Sequence, residues 1–342
     1  MKVVLNKKVK AAVIGASGFT GEKLIELLLG HPGVKISYLS AKLAEAAKIS
    51  DLFPRFKGRL ELACKDLDLE EASSLADVIF LALPHKVSFE IAPYFLKKNK
   101  TVIDLSADYR FKDVKIYEQF YKVKHQDTKN LNKAVYGLPE FYRDRIKSAQ
   151  LIANPGCYPT ASILSTAPLL KSGLIKNMII DAKSGISGAG RHAKLEYHYA
   201  HLNGNMFSYK PFSHQHLPEI TQILSQIAKK KVTLRFTPHV IPSERGILVT
   251  VYADLTKKVS EAKINDIYAQ YYQKEPFVRL FKQNLPQLKD VIESNFCDIG
   301  FQAQDKKIVI VAAIDNLIKG ASGQAVQNMN IILGWDEALG LL

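Results

Sequence analysis

The sequence predicts two domains, a doubly wound α/β domain followed by an α+β domain. Short apolar runs alternate with helical stretches over the first 155 residues, which is the pattern of parallel strands joined by helices. After residue 155 longer β-rich segments appear, with helical stretches between them. The length of 342 residues agrees with two domains of about 150 residues each.

The elements of the first domain follow in order along the chain. Residues 9–14 form a short apolar run, and a glycine-rich turn follows it directly. Three leucines then mark one face of a helix, and the Gly-His-Pro sequence that follows ends it. Residues 34–39 alternate like a strand. Bare apolar runs, typical of strands buried in a parallel sheet, lie at 78–83 and 102–105.

The second domain is predicted from four longer β-rich segments. They lie at 178–182, 232–236, 247–252 and 308–314. Residues 161–170 have a helical pattern and come directly after Cys157 and its turn. We therefore expect an α+β domain that begins near residue 155.

The charge of the chain is strongly basic but spread out. Lysine and arginine number 47 against 33 acidic residues, a formal net charge of +14. The lysines are distributed along the sequence, and no basic stretch is interleaved with aromatic residues. We expect solvated surface charge that helps to attract anionic substrates, and no nucleic-acid partner.

Several classes of protein are excluded by composition. No apolar run approaches the ~20 residues of a membrane helix, and the first residues lack the apolar stretch of a signal peptide. The three cysteines are scattered and odd in number, which argues against a disulfide framework or a cysteine metal site. We expect a cytoplasmic enzyme without a metal and without a membrane partner.

The glycine-rich turn predicts a dinucleotide site. Gly15, Gly18 and Gly21 have G-x-x-G-x-x-G spacing between a predicted strand and a predicted helix. A dinucleotide pyrophosphate binds where a strand leads into a helix N-terminus. A plain tight turn is the alternative, and the flanking strand and helix favour a Rossmann-type site.

The end of the second strand distinguishes between the two nicotinamide cofactors. An acidic residue there would hold the ribose hydroxyl of NAD. The chain has Ser40 and Lys42 instead, a hydroxyl and a cation. This favours the 2′-phosphate of NADP, with an ordinary exposed turn as the alternative.

Cys157 is the candidate nucleophile. It lies in Asn-Pro-Gly-Cys-Tyr-Pro-Thr, before a helical run, where free amides and the positive end of the helix dipole stabilise a thiolate. A small buried hydrophobe is the other interpretation of a cysteine. A nucleophilic cysteine beside a nicotinamide site points to reversible acyl chemistry through a thioester. Cys64 and Cys297 lack such surroundings and are interpreted as structural.

Two further stretches could serve that chemistry. The small-residue loop from Ser184 to Arg191 could bring backbone amides to an oxyanion or phosphate, which Arg191 could clamp. His214, His216 and Glu219 could supply a proton carrier and a carboxylate that orients it. A flexible loop and a zinc pair are the alternatives, but further zinc ligands do not stand at recognisable spacing.

The motifs together resemble the N-acetyl-γ-glutamyl-phosphate reductase family of arginine biosynthesis, which is related to aspartate-semialdehyde dehydrogenase. The matching motifs run from residue 11 to about 334. They are 15–21, 83–85, 102–110, 136–140, 154–160, 184–191, 214–219, 238–246, 315–320 and 323–328.

The resemblance implies a role for each candidate residue. Cys157 would attack N-acetyl-γ-glutamyl phosphate and expel phosphate, and NADPH would reduce the thioester to the semialdehyde. His214 or His216 would be the acid/base, supported by Glu219. Substrate contacts would come from Arg110, Ser184 and Arg191. Cofactor contacts would come from Gly15, Ser17, Gly18, Phe19, Thr20, Gly21, Ser40, Lys42 and Asn316.

The resemblance also implies the domain organisation. Residues 1–155 with about 320–342 would form the Rossmann-type NADP-binding domain. Residues 156–319 would form the catalytic, substrate and oligomerisation domain, with a glyceraldehyde-3-phosphate dehydrogenase-like fold, in a homotetramer or homodimer. One departure is Ser40-Ala41-Lys42, where the family pattern has an arginine.

Two other functions remain as alternatives. The same chemistry could act on an aminoadipyl or glutamyl phosphate linked to an acidic carrier protein, which the net charge of +14 would suit. A basic nucleic-acid-binding or scaffold protein on a retired dinucleotide fold is the second. The intact Cys157, His214, His216 and Arg191 argue against it.

Overall fold

A computed structural model describes residues 8–191 and 193–342. Its strands are β1 Val9–Ile14, β2 Val34–Ser40, β3 Ala47–Lys48, β4 Ala63–Lys65, β5 Val78–Leu81, β6 Thr101–Asp104, β7 Val135–Tyr136, β8 Leu151–Ala153, β9 Ile175–Ser184, β10 Phe207–Ser208, β11 Leu234–Val240, β12 Ile247–Leu255, β13 Val278–Phe281, β14 Cys297–Gln304 and β15 Lys307–Ile314. Its α-helices are α1 Phe19–Gly30, α2 Ile49–Leu52, α3 Leu69–Leu75, α4 Ser88–Lys97, α5 Val114–Tyr121, α6 Thr128–Lys133, α7 Pro139–Ile146, α8 Cys157–Lys171, α9 Tyr199–Leu202, α10 His216–Ala228, α11 Glu261–Tyr272 and α12 Gly323–Ile332.

The contacts divide the chain into two compact units. The first comprises the described residues up to Pro155 together with Ala321–Leu342, and the second comprises Gly156–Gly320. Each unit is built around one sheet.

The first unit is a doubly wound sheet. Its eight strands have the order β3-β4-β2-β1-β5-β6-β8-β7, and all neighbours are parallel except β3 and β4. The chain runs from β1 to β2 on one side and returns to β5 on the other. The strand order therefore reverses at β1, and ligands of such sheets bind beyond the carboxyl ends of the strands at this point.

Burial on both faces explains the uniformly apolar strands of this sheet. Ala11 and Val13 of β1 pack on one face with apolar residues of α1 and α12. Ala12 and Ile14 pack on the opposite face with apolar residues of α3 and α4. Successive strand residues point to opposite faces, so a strand covered on both sides has no polar alternation.

The second unit has a mixed seven-stranded sheet in the order β10-β11-β9-β12-β15-β14-β13. Strands β9, β12, β15 and β14 are successively antiparallel. At the two edges, β11 is parallel to β9 and antiparallel to β10, and β13 is parallel to β14. Helix α8 is buried over nearly its whole length. It packs against β12 and β15 of this sheet and against α10.

The predicted two-domain α/β architecture is confirmed. The strands predicted at 78–83 and 102–105 end two and one residues earlier, at Leu81 and Asp104. The strand predicted at 232–236 is β11, which begins at Leu234. Within the described residues, no helix has the length and apolar character needed to cross a membrane.

Candidate active site

The glycine-rich turn of the first unit is shaped by close backbone contacts. Gly15 has φ of +94°, and a Cβ there would lie 2.2 Å from the carbonyl oxygen of Ala82. A Cβ on Gly21 would lie 2.2 Å from the carbonyl oxygen of Gly15. Both positions therefore require glycine. Gly18 is the N-cap of α1, and a Cβ there would be in ordinary van der Waals contact with Gly15 O, at 3.7 Å.

This turn has the form that a dinucleotide requires. It leads from the carboxyl end of β1 into α1, at the position where the strand order reverses. The first-turn amides of a helix have no intrahelical acceptors and bind anionic groups. The turn places Phe19, Thr20 and Gly21 in that first turn and Ser17 just before it. These residues fit a pyrophosphate.

Ser40 and Lys42 occupy different environments at the end of β2. Ser40 is buried, and its carbonyl oxygen accepts the N–H groups of Gly15 and Ala16 at 2.8 and 2.9 Å. Lys42 is exposed. Ser40 thus fixes the glycine turn through its backbone, and Lys42 offers its charge to solvent.

Arg110 lies in a tightly held loop of the first unit. Its Nε donates to Asn154 O at 2.7 Å and its Nη2 to Leu105 O at 2.8 Å, so the side chain lies at the carboxyl ends of β6 and β8. The loop is fixed by Asp108, which accepts the N–H groups of Lys86 and Ser88 and the Tyr117 hydroxyl, and which is fully buried.

A second buried carboxyl stabilises the same loop. Asp104, which ends β6, accepts the backbone N–H of Ser106 at 3.0 Å and its hydroxyl at 2.8 Å. Burial, with the neighbouring charge of Asp108, raises the pKa of Asp104 to about 7. The family resemblance implied a role for Arg110 in this loop but none for the carboxyls that support it.

In the second unit Cys157 is the first residue of α8, and Gly156 is its N-cap. The cysteine is half-buried, whereas Cys64 and Cys297 are fully buried, and all three are free thiols. A Cβ on Gly320 would lie 2.8 Å from Cys157 Cβ, so the backbone of Gly320 packs directly against the cysteine.

The N-terminus of α10 lies beside that of α8. The N–H of Gly156 donates to Oε1 of Glu219 at 2.9 Å, and Glu219 is fully buried. The ring of Tyr158 lies 5.6 Å from that of His214 and 5.8 Å from that of His216. The residues on both sides of Cys157 therefore contact the histidine segment that the sequence singled out.

The two histidines differ in their surroundings. His214 Nδ1 accepts the backbone N–H of His216 at 3.1 Å, so the ring proton of the neutral imidazole is on Nε2. Burial lowers the pKa of His214 to about 3, and the charge of Lys210 acts in the same direction. His214 is therefore neutral at physiological pH. His216 begins α10, one turn before Glu219.

Two tyrosines to which the sequence assigned no role line this part of the unit. The Tyr209 hydroxyl donates to that of Tyr158 at 3.3 Å, and Tyr158 donates to His239 O at 3.1 Å. The Tyr209 ring lies 5.3 Å from that of His214. Burial raises the pKa of both tyrosines, so both remain protonated. Tyr158 follows Cys157 directly, and this adjacency was the available signal.

The loop after β9 corrects one expectation. The N–H groups of Gly185, Ile186 and Ser187 donate to the carbonyls of Gly246, Ser243 and Glu244 at 2.9, 2.9 and 3.0 Å. These three amides therefore do not face an anion, because a neighbouring segment of backbone already accepts them.

The side chains of this unit that were predicted to contact substrate or cofactor differ in their exposure to solvent. Ser184 is buried and donates its hydroxyl to Gly185 O at 2.9 Å. Arg191 is exposed beyond Gly190, whose φ is +84°. Asn316 is buried, and both polar atoms of its amide bind within the second unit, to Gly246 and Ser187.

The described residues contain no cluster of three or more histidine, cysteine or carboxylate side chains arranged to hold a metal ion.

Comparison with known proteins shows the family to which the chain belongs. Residues 10–149 match the NAD-binding domain of semialdehyde dehydrogenase, and residues 157–316 match its dimerisation domain. The N-acetyl-gamma-glutamyl-phosphate reductase of Campylobacter jejuni subsp. doylei is 48 % identical over 339 residues, 98 % of each chain. That of Alkaliphilus metalliredigens is 46 % identical over 97 % of this chain and 98 % of its own. The chain belongs to the N-acetyl-gamma-glutamyl-phosphate reductase family.

Solved structures agree with the family at the level of the fold. Aspartate semialdehyde dehydrogenase II of Vibrio cholerae, complexed with ASA, has a TM-score of 0.72 at 16 % identity, over 96 % of this chain and 99 % of that one. The Candida albicans aspartate semialdehyde dehydrogenase with NADP also has a TM-score of 0.72, at 15 % identity over the same shares. The chain therefore has the fold of semialdehyde dehydrogenases, with an NAD-binding domain and a dimerisation domain.

Proposed function

We propose that the chain catalyses the NADPH-dependent reduction of N-acetyl-γ-glutamyl phosphate to N-acetylglutamate semialdehyde and phosphate, in arginine biosynthesis. The main support is the position of Cys157 at the N-terminus of α8. Its neighbour Gly156 is hydrogen-bonded to Glu219, and its other neighbour, Tyr158, contacts the two histidine rings. The named relatives do not favour a carrier-linked aminoadipyl or glutamyl phosphate as substrate.

Cys157 would act as the nucleophile. Its Sγ attacks the acyl carbon of the substrate, the carbon–sulfur bond forms, and the bond to the phosphate oxygen breaks, so phosphate leaves and a thioester remains. NADPH, when bound, supplies the hydride. Breaking the carbon–sulfur bond of the resulting thiohemiacetal releases the aldehyde and returns the electron pair to sulfur.

His216 is the better candidate for the proton carrier. His214 has a pKa of about 3 and gives its Nδ1 to a backbone N–H, so it cannot donate a proton as an imidazolium near neutral pH. His216 begins α10 and contacts the ring of Tyr158, which follows the cysteine. We assign His216 the proton exchange with the thiol and with the carbonyl oxygen of the product.

The remaining roles are contacts with the cofactor and with the substrate. The glycine turn with Phe19, Thr20 and Gly21 would hold the pyrophosphate, and Lys42 the 2′-phosphate of NADP(H). Arg191 would hold the substrate phosphate. Arg110 stays a predicted substrate contact, and two hydrogen bonds to backbone carbonyls fix its side chain.

The reverse reaction tests this function directly. The purified chain should reduce NADP in the presence of N-acetylglutamate semialdehyde only when phosphate is added, and much faster than it reduces NAD. C157S should abolish turnover and leave NADPH binding unchanged. Absence of phosphate-dependent reduction by protein that binds NADPH would overturn the proposal.

The oligomeric state is a second part of the proposal. Residues 157–316 match a dimerisation domain, so the chain assembles with copies of itself. We propose a homodimer or a homotetramer in the cytoplasm. Sedimentation equilibrium of the purified chain distinguishes the two, and a monomer at micromolar concentration would contradict both.

A further inference from the structure

The carboxamide of Asn316 joins two segments of the second unit that are distant in sequence. Its Oδ1 accepts the backbone N–H of Gly246 at 2.7 Å. Its Nδ2 donates to the hydroxyl of Ser187 at 3.0 Å. Asn316 is only 2 % exposed, so these hydrogen bonds are shielded from water. Each of the two atoms keeps one further hydrogen-bonding position, and the two bonds together fix the orientation of the amide.

The backbone that carries Asn316 is itself fixed by an ion pair. Asp315 is fully buried, and Arg245 Nη2 approaches its two oxygens at 3.2 and 3.1 Å. The same carboxylate accepts the N–H groups of Leu317 and Ile318 at 2.8 and 3.1 Å. The residues immediately before and after Asn316 are therefore held in place, as is Arg245 beside Gly246.

On the other side of Asn316, hydrogen bonds hold the loop after β9 through Ser187. Backbone hydrogen bonds tie Gly185, Ile186 and Ser187 to the 243–246 segment. A Cβ on Gly185 would lie 2.6 Å from Arg245 N, so the two segments are in direct contact. The next residues form hydrogen bonds within the loop itself. The N–H of Gly188 donates to the carbonyl oxygen of Gly185 at 3.3 Å, and the N–H of Gly190 donates to that of Ser187 at 3.2 Å.

Arg191 follows this turn directly and is exposed. Its starting point is set by Gly190, whose amide hydrogen-bonds to the carbonyl of Ser187. Ser187 is in turn bound through its hydroxyl by Asn316. A chain of contacts within one unit therefore leads from Asn316 to the arginine that the proposed function assigns to the phosphate.

We propose that Asn316 is a positioning residue, whose carboxamide fixes the turn at 185–190 against Gly246 and thereby places Arg191 for the substrate phosphate. It thus acts on substrate binding through the loop rather than by contacting the nicotinamide. This inference rests on the proposed function, because it assigns Arg191 to the acyl phosphate.

The experiment compares N316A, S187A and R191A with the double variants N316A/S187A and N316A/R191A. Michaelis constants for phosphate in the reverse reaction, dissociation constants for NADPH and melting temperatures are measured for each. N284A is the matched control, since Asn284 is an exposed asparagine of the same unit.

The expected result is non-additivity. N316A and S187A should each raise the KM for phosphate about tenfold, the size of effect of leaving a buried hydrogen-bonding group unpaired. N316A/S187A should be no worse than N316A, and N316A should have no further effect in the R191A background. The dissociation constant for NADPH should stay within twofold of wild type, and N284A should behave as wild type.

Two results would overturn the inference. A tenfold weaker NADPH affinity in N316A but not in S187A would mean that Asn316 contacts the cofactor. Full additivity of N316A with R191A would mean that Asn316 does not act through the loop. If N316A fails to fold, S187A, R191A and the additional double variant S187A/R191A are compared in the same way, since Ser187 is the acceptor of the same hydrogen bond. An inactive wild type would instead refute the proposed function.

Discussion

The carboxylate of Glu219 accepts a hydrogen bond from the backbone N–H of Gly156 at 2.9 Å, and it does so in full burial. Gly156 is the N-cap of the helix that begins with Cys157, and Glu219 lies in the first turn of α10. This contact places the start of the cysteine helix beside the start of the histidine helix. Glu219 therefore supports the nucleophile as well as lying one turn after His216.

The first prediction separates these two roles of Glu219. In E219Q the amide oxygen can still accept the N–H of Gly156, whereas in E219A that buried N–H loses its acceptor, at a cost of about 1–3 kcal/mol. If the contact with Gly156 dominates, E219A should lower both kcat and the melting temperature far more than E219Q. Steady-state kinetics and thermal unfolding of the two variants measure this.

The outcome that contradicts a positional role is equally clear. If E219Q and E219A lose kcat to the same extent while E219Q keeps the wild-type melting temperature, the negative charge is what matters. Glu219 would then act on a histidine, as the sequence predicts.

The second prediction concerns Gly320, which lies against the nucleophile. A methyl group there would come within 2.8 Å of Cys157 Cβ and 3.2 Å of its Cα, so the cysteine must move. G320A should therefore lower kcat at least tenfold and destabilise the fold by about 1–3 kcal/mol. NADPH affinity should not change. Kinetics, urea unfolding and NADPH fluorescence check the three effects.

Gly30 provides the matched control for this substitution. It lies at the end of α1, and a Cβ there meets no atom within 4 Å. G30A should keep full activity and gain a few tenths of a kcal/mol or more from helix propensity. Wild-type kcat in G320A would show that the helix start tolerates displacement, against the packing described above.

The third prediction is that a single thiol of the native protein reacts with iodoacetamide. Cys64 and Cys297 are fully buried, and burial raises the pKa of Cys64 to about 11, whereas Cys157 is half-buried at a helix N-terminus. Mass spectrometry should find one label per native chain and three after unfolding. C157S should take up none when native, and unchanged labelling of C157S would disprove the assignment.

The fold could be predicted from the sequence wherever burial leaves a pattern. Strands covered on both faces, such as β1 and β5, appear as bare apolar runs because neither face meets water. β14 was not predicted. Its residues from Phe301 to Gln304 alternate between half-buried and exposed, and it is recognised as a strand by its pairing with β13 and β15. The two-residue strands β3, β7 and β10 are recognised by their pairing with a neighbouring strand.

The site could be predicted only where the type of a residue and its local sequence indicate its chemistry. Cys157 stands out because its turn precedes a helix, and the histidines because they are close together. The hydrogen bond between Gly156 and Glu219 joins residues 63 positions apart, and no local pattern encodes it. For the same reason the amides of Gly185, Ile186 and Ser187 were expected to face an anion. Their acceptors lie at 243–246, 57 to 61 residues further along the chain.

The fourth prediction tests the choice of cofactor. Lys42 is exposed after the end of β2, where the proposal places the 2′-phosphate of NADPH. K42D should weaken NADPH binding about tenfold or more, because a charge-assisted contact becomes a repulsion, and should leave NADH binding within twofold. Lys35, exposed near the start of the same strand, gives the control K35D, which should change neither. Equal losses for the two cofactors would place Lys42 away from the 2′-phosphate.

The fifth prediction concerns the dependence of stability on pH. His214 has a folded-state pKa of about 3 against an ordinary value of 6.5, because it is buried. Below pH 6.5 the unfolded chain therefore binds a proton at this histidine that the folded chain does not bind. Because protonation favours the unfolded state, the free energy of unfolding decreases progressively as the pH falls. The loss is at most about 1.4 kcal/mol per pH unit between pH 6.5 and pH 3. Above pH 6.5 the contribution is complete.

Two other buried groups act in the same range with known signs. Burial also lowers the pKa of His31, which adds to the loss of stability in acid. The raised pKa of Asp104, about 7, acts in the opposite sense, since the folded chain keeps a proton that the unfolded chain releases above about pH 4. The total pH profile is a sum, so His214 must be isolated by a difference between two proteins.

H214N isolates it, because the asparagine oxygen can still accept the N–H of His216 but does not titrate. The unfolding free energy of wild type minus that of H214N is measured by urea titrations at pH 4.5 to 7.5. This difference should fall by up to about 1.4 kcal/mol for each pH unit below pH 6.5 and be constant above it.

His198 is the matched control. Its Nδ1 accepts the N–H of Ala200 two residues further on, as that of His214 accepts the N–H of His216, but its ring is exposed. H198N measures the effect of the same substitution on an exposed ring. If the curve of H214N runs parallel to that of wild type, His214 is protonated in the folded chain below pH 6.5, and the assignment of proton exchange to His216 alone loses its basis.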